Sequence, residues 1–259
     1  MIPKKIHYCW LSGDPLPRNI RKCIDTWRRI MPDYELKLWD TKAFDITSVP
    51  FVEEACRKRK WAFAADYIRM YALYTEGGIY LDSDVKVTKR FDDLLGFSFM
   101  SSLEYHPTQA DKDGAWDMID ADGHRIKDGF VSGIMIQAAV MGAEAGCPFV
   151  KDVLDWYGQQ SFINPDGSLS IKVVSPMIYA RIAEKYGFVY KDVDQDLSGN
   201  IKIYASSMFA GNKHEVTPRT RAIHLCAHSW TPTAWEKFNR WLKNHGLKSK
   251  MPANNILNS

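Results

Sequence analysis

Two aspartates separated by a single serine, Asp82 and Asp84, follow directly after a short apolar segment. That segment, residues 79–81, is β-branched, aromatic and apolar, which is typical of a buried strand. Because alternate side chains of an extended chain share a face, Tyr80, Asp82 and Asp84 are expected to point the same way. Two neighbouring carboxylates repel each other unless a cation lies between them. The spacing therefore indicates a divalent-metal site with oxygen ligands, which Mg²⁺ and Mn²⁺ prefer, unless this common triplet is only a solvated turn.

The residues that precede the aspartates predict the elements that position them. Residues 64–76 follow the three-to-four spacing of an amphipathic helix. Gly77-Gly78 is expected to end this helix, because glycine readily adopts the left-handed conformation of a C-cap. Asp66 and Arg69 lie three positions apart on one side of it. They form either an ordinary helical ion pair or a polar pair that projects toward a bound substrate.

The beginning of the chain predicts a strand–helix–strand unit. Residues 5–11 and 34–39 have strand patterns, and residues 19–31 have a helical pattern between them. This arrangement predicts a parallel sheet, and ligands bind at the carboxyl-terminal edge of such sheets. Trp10 stands at the end of the first strand, where it either packs in the core or stacks on a base.

The rest of the chain predicts strands at residues 97–104, 130–138, 189–190 and 201–204, and a helix at 177–186 capped by Ser175-Pro176. Residues 106–129 are polar and contain several glycines, so we expect a long loop or hairpin that serves as a lid or binds an acceptor. Alternation around His224 places Ile223 and Leu225 toward the core and His224 on the opposite face. His224 is then either a core histidine or a metal ligand that joins the aspartates.

Two segments resemble the signature of the DXD sugar transferases, glycosyltransferase family 32: Ala65-Asp66-Tyr67-Ile68-Arg69, and Gly77-Gly78-Ile79-Tyr80-Leu81-Asp82-Ser83-Asp84. This family includes bacterial capsular-polysaccharide transferases and the yeast initiating mannosyltransferase, and the glucosylating domains of large clostridial toxins carry a similar segment. The resemblance implies an α/β fold of the GT-A nucleotide-diphospho-sugar transferase type, with a mostly parallel central sheet flanked by helices. A single catalytic domain is expected over residues 1–245, followed by a polar tail at 246–259.

The resemblance also implies roles for individual residues. Asp82, Asp84 and His224 are the expected ligands of Mn²⁺ or Mg²⁺, and Asp82, Asp84 and Arg69 are the expected catalytic residues. Asp66 is expected to accept hydrogen bonds from sugar hydroxyls. The predicted nucleotide-sugar site comprises Trp10, Asp66, Arg69, Tyr80, Ser83, Ser229 and Trp230. In this set Trp10 stacks on the base, as the matching tryptophan does in the toxin domains, and Ser229 and Trp230 lie on a loop that closes over the diphosphate.

The implied function is metal-dependent transfer of a hexose from a nucleotide-diphosphate sugar, preferably a UDP-sugar, with retention of configuration. The expected acceptor is a glycan or lipid-linked saccharide in surface or capsular polysaccharide synthesis. Two alternatives from other classes stay open. One is a metal-dependent phosphohydrolase that uses the same aspartates, and the other is a non-catalytic protein that binds sugar nucleotides or glycans.

Composition bounds the compartment and the partners. A net charge of +3 gives no case for nucleic acid as a partner. The five cysteines show no C-x-x-C spacing, and the N-terminus lacks an apolar signal core, so we expect a reduced, cytoplasmic protein. The basic run at residues 57–60 is typical of a solvated helix face, with peripheral contact at the inner membrane face as the alternative.

Overall fold

The computed structural model describes residues 1–211 and 215–226. The α-helices within these residues are α1 Arg18–Ile30, α2 Pro50–Arg57, α3 Trp61–Glu76, α4 Pro107–Lys112, α5 Pro148–Gly158 and α6 Ser175–Ala183. The strands are β1 Lys5–Cys9, β2 Glu35–Trp39, β3 Gly78–Leu81, β4 Val85–Val87, β5 Phe99–Tyr105, β6 Ile134–Ile136, β7 Val140–Ala143, β8 Gln195–Leu197, β9 Ile201–Tyr204, β10 Phe209–Ala210 and β11 Ala222–His224. Over the described part of the chain, every helix is too short or too polar to cross a bilayer.

The central sheet has the strand order β2-β1-β3-β7-β5-β9-β8, with β6 paired on β5. Strand β1 is parallel to both β2 and β3, and β5 is parallel to β9. Because β7 lies antiparallel between β3 and β5, the strands β2, β1, β3, β5 and β9 all run in one direction, while β7 and β8 run in the other. The predicted α/β architecture with a mostly parallel sheet is confirmed, and the opening strand–helix–strand unit forms its β2-β1 edge.

A second, three-stranded sheet has the order β10-β11-β4. Strand β11 is antiparallel to β4, and His224 lies opposite Val85 in their register. Helix α1 contacts this small sheet: the indole N–H of Trp27 donates to the carbonyl oxygen of Val85 in β4 at 2.8 Å. Since β4 begins directly after Asp84, the pairing of β11 with β4 brings residues near the end of the described chain next to the two aspartates.

The two glycines after α3 fit a close approach between α3, β1 and β3. Gly77 ends the helix as predicted, but with φ +61° and ψ −177° it does not adopt the expected left-handed helical conformation, and Gly78 has φ +113°. A Cβ added to Gly78 would lie 2.7 Å from the carbonyl oxygen of Lys5, which is inside van der Waals contact. A side chain is therefore excluded here on two grounds, the backbone conformation and the space that β1 occupies.

Several segments differ from the sequence-based prediction. Residues 106–129 begin with helix α4 instead of forming a loop or hairpin throughout, because Pro107 is well suited to a first helical turn. Strand β7 was not predicted, since its four residues include a glycine and show no alternation. The predicted strand at 130–138 is reduced to β6, and residues 189–190 form no strand, whereas β8 follows a few positions later.

Two smaller predictions are also wrong, and a third concerns residues outside the described part of the chain. Leu225 is 40% exposed and so does not face the core, because β11 ends at His224. Ser175 does not cap α6, whose N-cap residue is the extended Val174. Residues 1–226 form one compact unit, and the predicted domain boundary at 245 and the tail at 246–259 lie outside the described residues and stay predictions.

Candidate metal centre and the polar cluster behind it

Asp82, Asp84 and His224 come together at the carboxyl-terminal edge of the central sheet. One ligand atom from each residue lies within 4.8 Å of the others. The Nε2 atom of His224 is 3.4 Å from Asp84 Oδ1 and 4.0 Å from Asp82 Oδ2. Ligand atoms bonded to one Mg²⁺ or Mn²⁺ at about 2.1 Å stand roughly 3–4 Å apart, so two carboxylates and one imidazole at these separations fit a single divalent ion.

The two aspartates occupy a turn, which corrects the prediction that they continue an extended strand. Strand β3 ends at Leu81, and the N–H of Val85 donates to the carbonyl oxygen of Asp82 at 2.9 Å across the turn. The N–H of Asp82 in turn donates to the carbonyl oxygen of Ala139 at 2.8 Å. The turn is not a freely solvated one, because the side chains of Asp82 and Asp84 are only 26% and 14% exposed.

His224 reaches the aspartates because β11 pairs with β4. Burial lowers the pKa of His224, but hydrogen bonding with Asp84 and Cys226 and the charge of Asp82 raise it well above its usual value. On the other side of the ring, Nδ1 lies 3.6 Å from the Cys226 sulfur. A divalent cation held by the same carboxylates would require the neutral imidazole, so metal binding and protonation compete at this residue.

Arg69 links the aspartate turn to helix α3. Its side chain is 5% exposed, and Nη2 lies 3.1 Å from Asp66 Oδ1 and 3.4 Å from Asp82 Oδ1. Its Nε and Nη1 groups donate to the carbonyl oxygens of Ala65 at 3.2 Å and Ala138 at 3.0 Å. The pair of Asp66 and Arg69 is therefore not an exposed helical ion pair. It belongs to a buried cluster that includes one of the candidate metal ligands.

Tyr80 and Ser83, both predicted to contact a nucleotide sugar, occupy different environments. The Tyr80 side chain is buried, its hydroxyl donates to Asp82 Oδ1 at 2.9 Å, and its ring centroid lies 4.9 Å from the Arg69 guanidinium carbon. Tyr80 thus holds the Asp82 carboxylate by a hydrogen bond from its buried side chain. Ser83 lies at the centre of the turn and is partly exposed.

Trp10 lies just beyond β1, half-buried, at the same edge of the sheet as the aspartate turn. Its backbone N–H donates to the carbonyl oxygen of Trp39, and its indole N–H donates to the carbonyl oxygen of Asp14 at 2.6 Å. The indole N–H is therefore occupied by the following loop. Ser229 and Trp230 lie outside the described residues, so their predicted role at the diphosphate stays a prediction.

The tertiary structure adds residues to this site that sequence patterns did not single out. The Ser175 hydroxyl donates to Asp66 Oδ1 at 2.9 Å, although the two residues are separated by 109 positions. The carbonyl oxygens of Ala138 and Ala139 hold Arg69 and Asp82. A serine before a proline indicates a helix start, and alanine carbonyls leave no sequence signal at all, so neither contact had a pattern from which to predict it.

Asp66 makes the stability of the protein depend on pH. Burial raises its pKa to about 6, despite the opposing effect of the Arg69 charge and the Ser175 hydrogen bond. The folded state therefore binds the Asp66 proton more tightly than the unfolded state, whose carboxyl titrates near its usual value of 3.8. The stabilisation from this proton is fully present below about pH 4 and is lost as the pH rises through about 6.

We expect the free energy of unfolding of the wild type, relative to Asp66→Asn, to decrease by roughly 1–3 kcal/mol between pH 4 and pH 7. Urea unfolding of both proteins at several pH values measures this difference. A constant difference over that range would show that Asp66 does not have a raised pKa in the folded protein.

Three comparisons relate this arrangement to known proteins. Residues 17–100, which include Asp66, Arg69, Asp82 and Asp84, match the family model of the glycosyltransferase sugar-binding region containing the DXD motif. An uncharacterized glycosyltransferase of Acanthamoeba polyphaga mimivirus is 30% identical over 105 residues, which are 38% of this chain and 42% of that protein.

Inositol phosphoceramide mannosyltransferase 3 of Schizosaccharomyces pombe is 33% identical over 103 residues, which are 37% of this chain and 28% of that protein. The matched part thus spans less than half the length of both relatives. Among solved structures, mouse xyloside xylosyltransferase 1 superimposes with a TM-score of 0.51 at 10% identity, and the match covers 87% of this chain and 98% of that one. This likeness shows a shared fold.

Proposed function

We propose that this chain, a member of the glycosyltransferases with a DXD sugar-binding region and with their GT-A fold, transfers a hexose from a nucleotide-diphosphate sugar to a glycan or lipid-linked saccharide. The observation that carries the proposal is one continuous cluster at the sheet edge. In it Asp82, Asp84 and His224 form a three-ligand group, and Arg69 joins Asp82 to Asp66. This cluster supports a metal centre that would bind the donor phosphates, with a carboxylate nearby that would accept hydrogen bonds from sugar hydroxyls.

Asp82, Asp84 and His224 would hold Mn²⁺ or Mg²⁺, and we favour Mn²⁺ because one of the three donors is an imidazole nitrogen. A divalent ion held by these residues would offset the negative charge that builds on the β-phosphate as its bond to the anomeric carbon breaks. Tyr80 holds Asp82 in place through its hydroxyl. Ser83, Ser229 and Trp230 are proposed to contact the diphosphate side of the donor, and Trp10 is proposed to stack on the base.

Arg69 and Asp66 have different proposed roles. Arg69 is almost fully buried and its N–H groups are directed at Ala65, Ala138 and the two carboxylates. We therefore place it behind the site, where its positive charge offsets the negative charges of Asp82 and Asp66. Asp66 keeps an 11% exposed side chain and is the proposed acceptor for hydroxyl groups of the donor sugar. Much of the catalysis would then be positioning of the donor.

We propose transfer with retention by attack on the face from which the phosphate leaves. The bond between the anomeric carbon and the phosphate oxygen breaks, the acceptor oxygen bonds to that carbon, and the departing phosphate takes the acceptor proton. The acceptor would bind near residues 106–129, which follow the carboxyl end of β5 at the same edge of the sheet as the aspartate turn. Surface or capsular polysaccharide synthesis is the proposed setting, with the protein in the cytoplasm.

The donor nucleotide has two candidates. We favour a UDP-sugar on the resemblance to capsular transferases and toxin domains. A GDP-linked mannose is the second candidate, because the fission yeast relative is named a mannosyltransferase. Its matched part is short, and therefore it does not decide the donor of this chain.

A ligand panel with the purified protein tests the proposal. UDP-glucose, UDP-galactose, GDP-mannose, UDP and GDP are each added with Mn²⁺ and with a chelator, and the unfolding temperature is measured. We expect one nucleotide class to raise it only with metal, because a ligand that binds the folded state alone stabilises it. Release of free nucleotide from the same donor, slow without an acceptor, separates a transferase from a protein that only binds.

The same panel addresses the two other classes. Hydrolysis of a simple phosphodiester substrate with no response to any sugar nucleotide would favour a phosphohydrolase. Binding without release of nucleotide under all conditions, including added oligosaccharide acceptors, would favour a binding protein. Both results would contradict the proposed transfer.

A further inference from the structure

Ser175 begins helix α6, but its side chain is buried against Asp66 instead of capping the helix. Its Oγ donates to Asp66 Oδ1 at 2.9 Å, and the residue is 5% exposed. The N-cap residue Val174 is extended and makes no side-chain capping hydrogen bond, and the first residue of α6 instead contacts Asp66 of α3. The Ser175 hydroxyl of α6 thus contacts the Asp66 carboxylate of α3, which we assign to sugar recognition.

The contacts of Asp66 with Arg69 and with Ser175 differ in kind. Arg69 lies 3.1 Å from Asp66 Oδ1, but its hydrogen bonds go to the carbonyl oxygens of Ala65 and Ala138. Among residues 1–211 and 215–226, Ser175 is the donor of the one hydrogen bond that the Asp66 carboxylate accepts. Arg69 supplies charge, whereas Ser175 supplies the directional constraint on the carboxylate plane.

The surroundings strengthen this single hydrogen bond. Tyr157 from α5 and Tyr179 from α6 are buried near Asp66, and after burial itself the charge of Asp66 contributes to the raised pKa of both hydroxyl groups. In such a region of low polarity a hydrogen bond is stronger than in water, and its loss costs more than the loss of an exposed hydrogen bond. Both observed contacts involve Oδ1, and within the described residues Oδ2 accepts no hydrogen bond.

We propose that Ser175 is a positioning residue for donor recognition: by engaging Oδ1 of Asp66, it orients the carboxylate so that Oδ2 accepts a hydrogen bond from a hydroxyl group of the donor hexose. The inference rests on the proposed function, since it assigns a partner to the residue that would contact the sugar. It extends the donor site beyond the matched segment, residues 17–100, to helix α6.

The test compares binding of sugar nucleotide and of free nucleotide in the variant Ser175→Ala. Dissociation constants are measured in Mn²⁺ by calorimetry for UDP-glucose, UDP-galactose and GDP-mannose, and for UDP and GDP alone. We expect the affinity for the donor to fall about tenfold or more, as for loss of a hydrogen bond that orients a charged group, while the affinity for the free nucleotide stays unchanged. The unchanged nucleotide affinity also reports that the variant is folded and binds metal.

Ser98→Ala is the matched control. Ser98 also donates to a carboxylate, Glu144 Oε2 at 3.0 Å, but it precedes β5 and so lies at the opposite edge of the sheet. Both affinities should equal those of the wild type in this control. An equal donor affinity for Ser175→Ala and wild type, or an equal loss for donor and free nucleotide, would overturn the positioning role. A wild type that binds none of the five compounds would instead contradict the proposed function itself, and with it this inference.

Discussion

Replacing Asp82 or Asp84 by asparagine is expected to reduce the rate of sugar transfer by about 10²–10³-fold or more. Each change removes one negative charge from the metal-binding group, and the metal ion held there would stabilise the leaving phosphate. The two carboxylates and His224 lie within 4.8 Å of one another. A single neutral replacement therefore makes the whole group of ligands less negative. Initial rates of nucleotide release with the donor identified by the ligand panel measure the effect. Mn²⁺ affinity, measured in the same preparations, should fall in parallel.

Asp25→Asn is the matched control for these two variants. Asp25 is a well-exposed aspartate on α1 whose partner is Arg28, three positions along the same helix. Its replacement removes the same charge from the chain without touching the site, so activity and metal affinity should stay at the wild-type level. Full activity of Asp84→Asn with unchanged metal affinity would show that the aspartate turn is structural only.

Replacing Arg69 by methionine is expected to lower the free energy of unfolding by about 3–5 kcal/mol at neutral pH, because it leaves one buried and one partly buried carboxylate without their counter-charge. Methionine keeps much of the length of the side chain, so the loss reports charge more than volume. Asp66 and Asp82 are the carboxylates that lose their partner. Urea unfolding followed by tryptophan fluorescence measures the change.

The pH dependence of this loss provides an independent check. Without Arg69 the pKa of Asp66 rises further, so its carboxyl takes up a proton more readily and the buried charge disappears. The destabilisation should therefore be smaller at pH 5 than at pH 8. A loss that is the same at both pH values would mean that packing, and not charge, accounts for it.

Arg90→Met is the contrasting variant. Arg90 also contacts two aspartates, Asp33 and Asp92, but its side chain is 41% exposed and lies on the surface near Lys4. Solvent screens such pairs, and their contribution to stability is small. We expect a midpoint close to that of the wild type. If Arg90→Met and Arg69→Met were equally destabilised, burial would not be the reason that Arg69 matters.

The sequence by itself determined the local part of this protein. The helix that carries Asp66 and Arg69, the glycine pair and the strand before Asp82 follow one another within about twenty residues, and each is specified by spacing or by backbone conformation. The same holds for the opening strand–helix–strand unit, which forms the parallel edge of the sheet. Such features depend on neighbours in the chain, and a periodic pattern therefore predicts them.

Only the tertiary structure decided how distant segments complete the site. His224 joins the aspartates through the pairing of β11 with β4, Ser175 reaches Asp66 from another helix, and β7 enters the centre of the sheet without a sequence signal. It also decided that the aspartates lie in a turn and that Asp66 is buried enough to shift its pKa. The contacts of His224, Ser175 and β7 join residues tens to more than a hundred positions apart, and burial is a property of the packed chain that no local pattern contains.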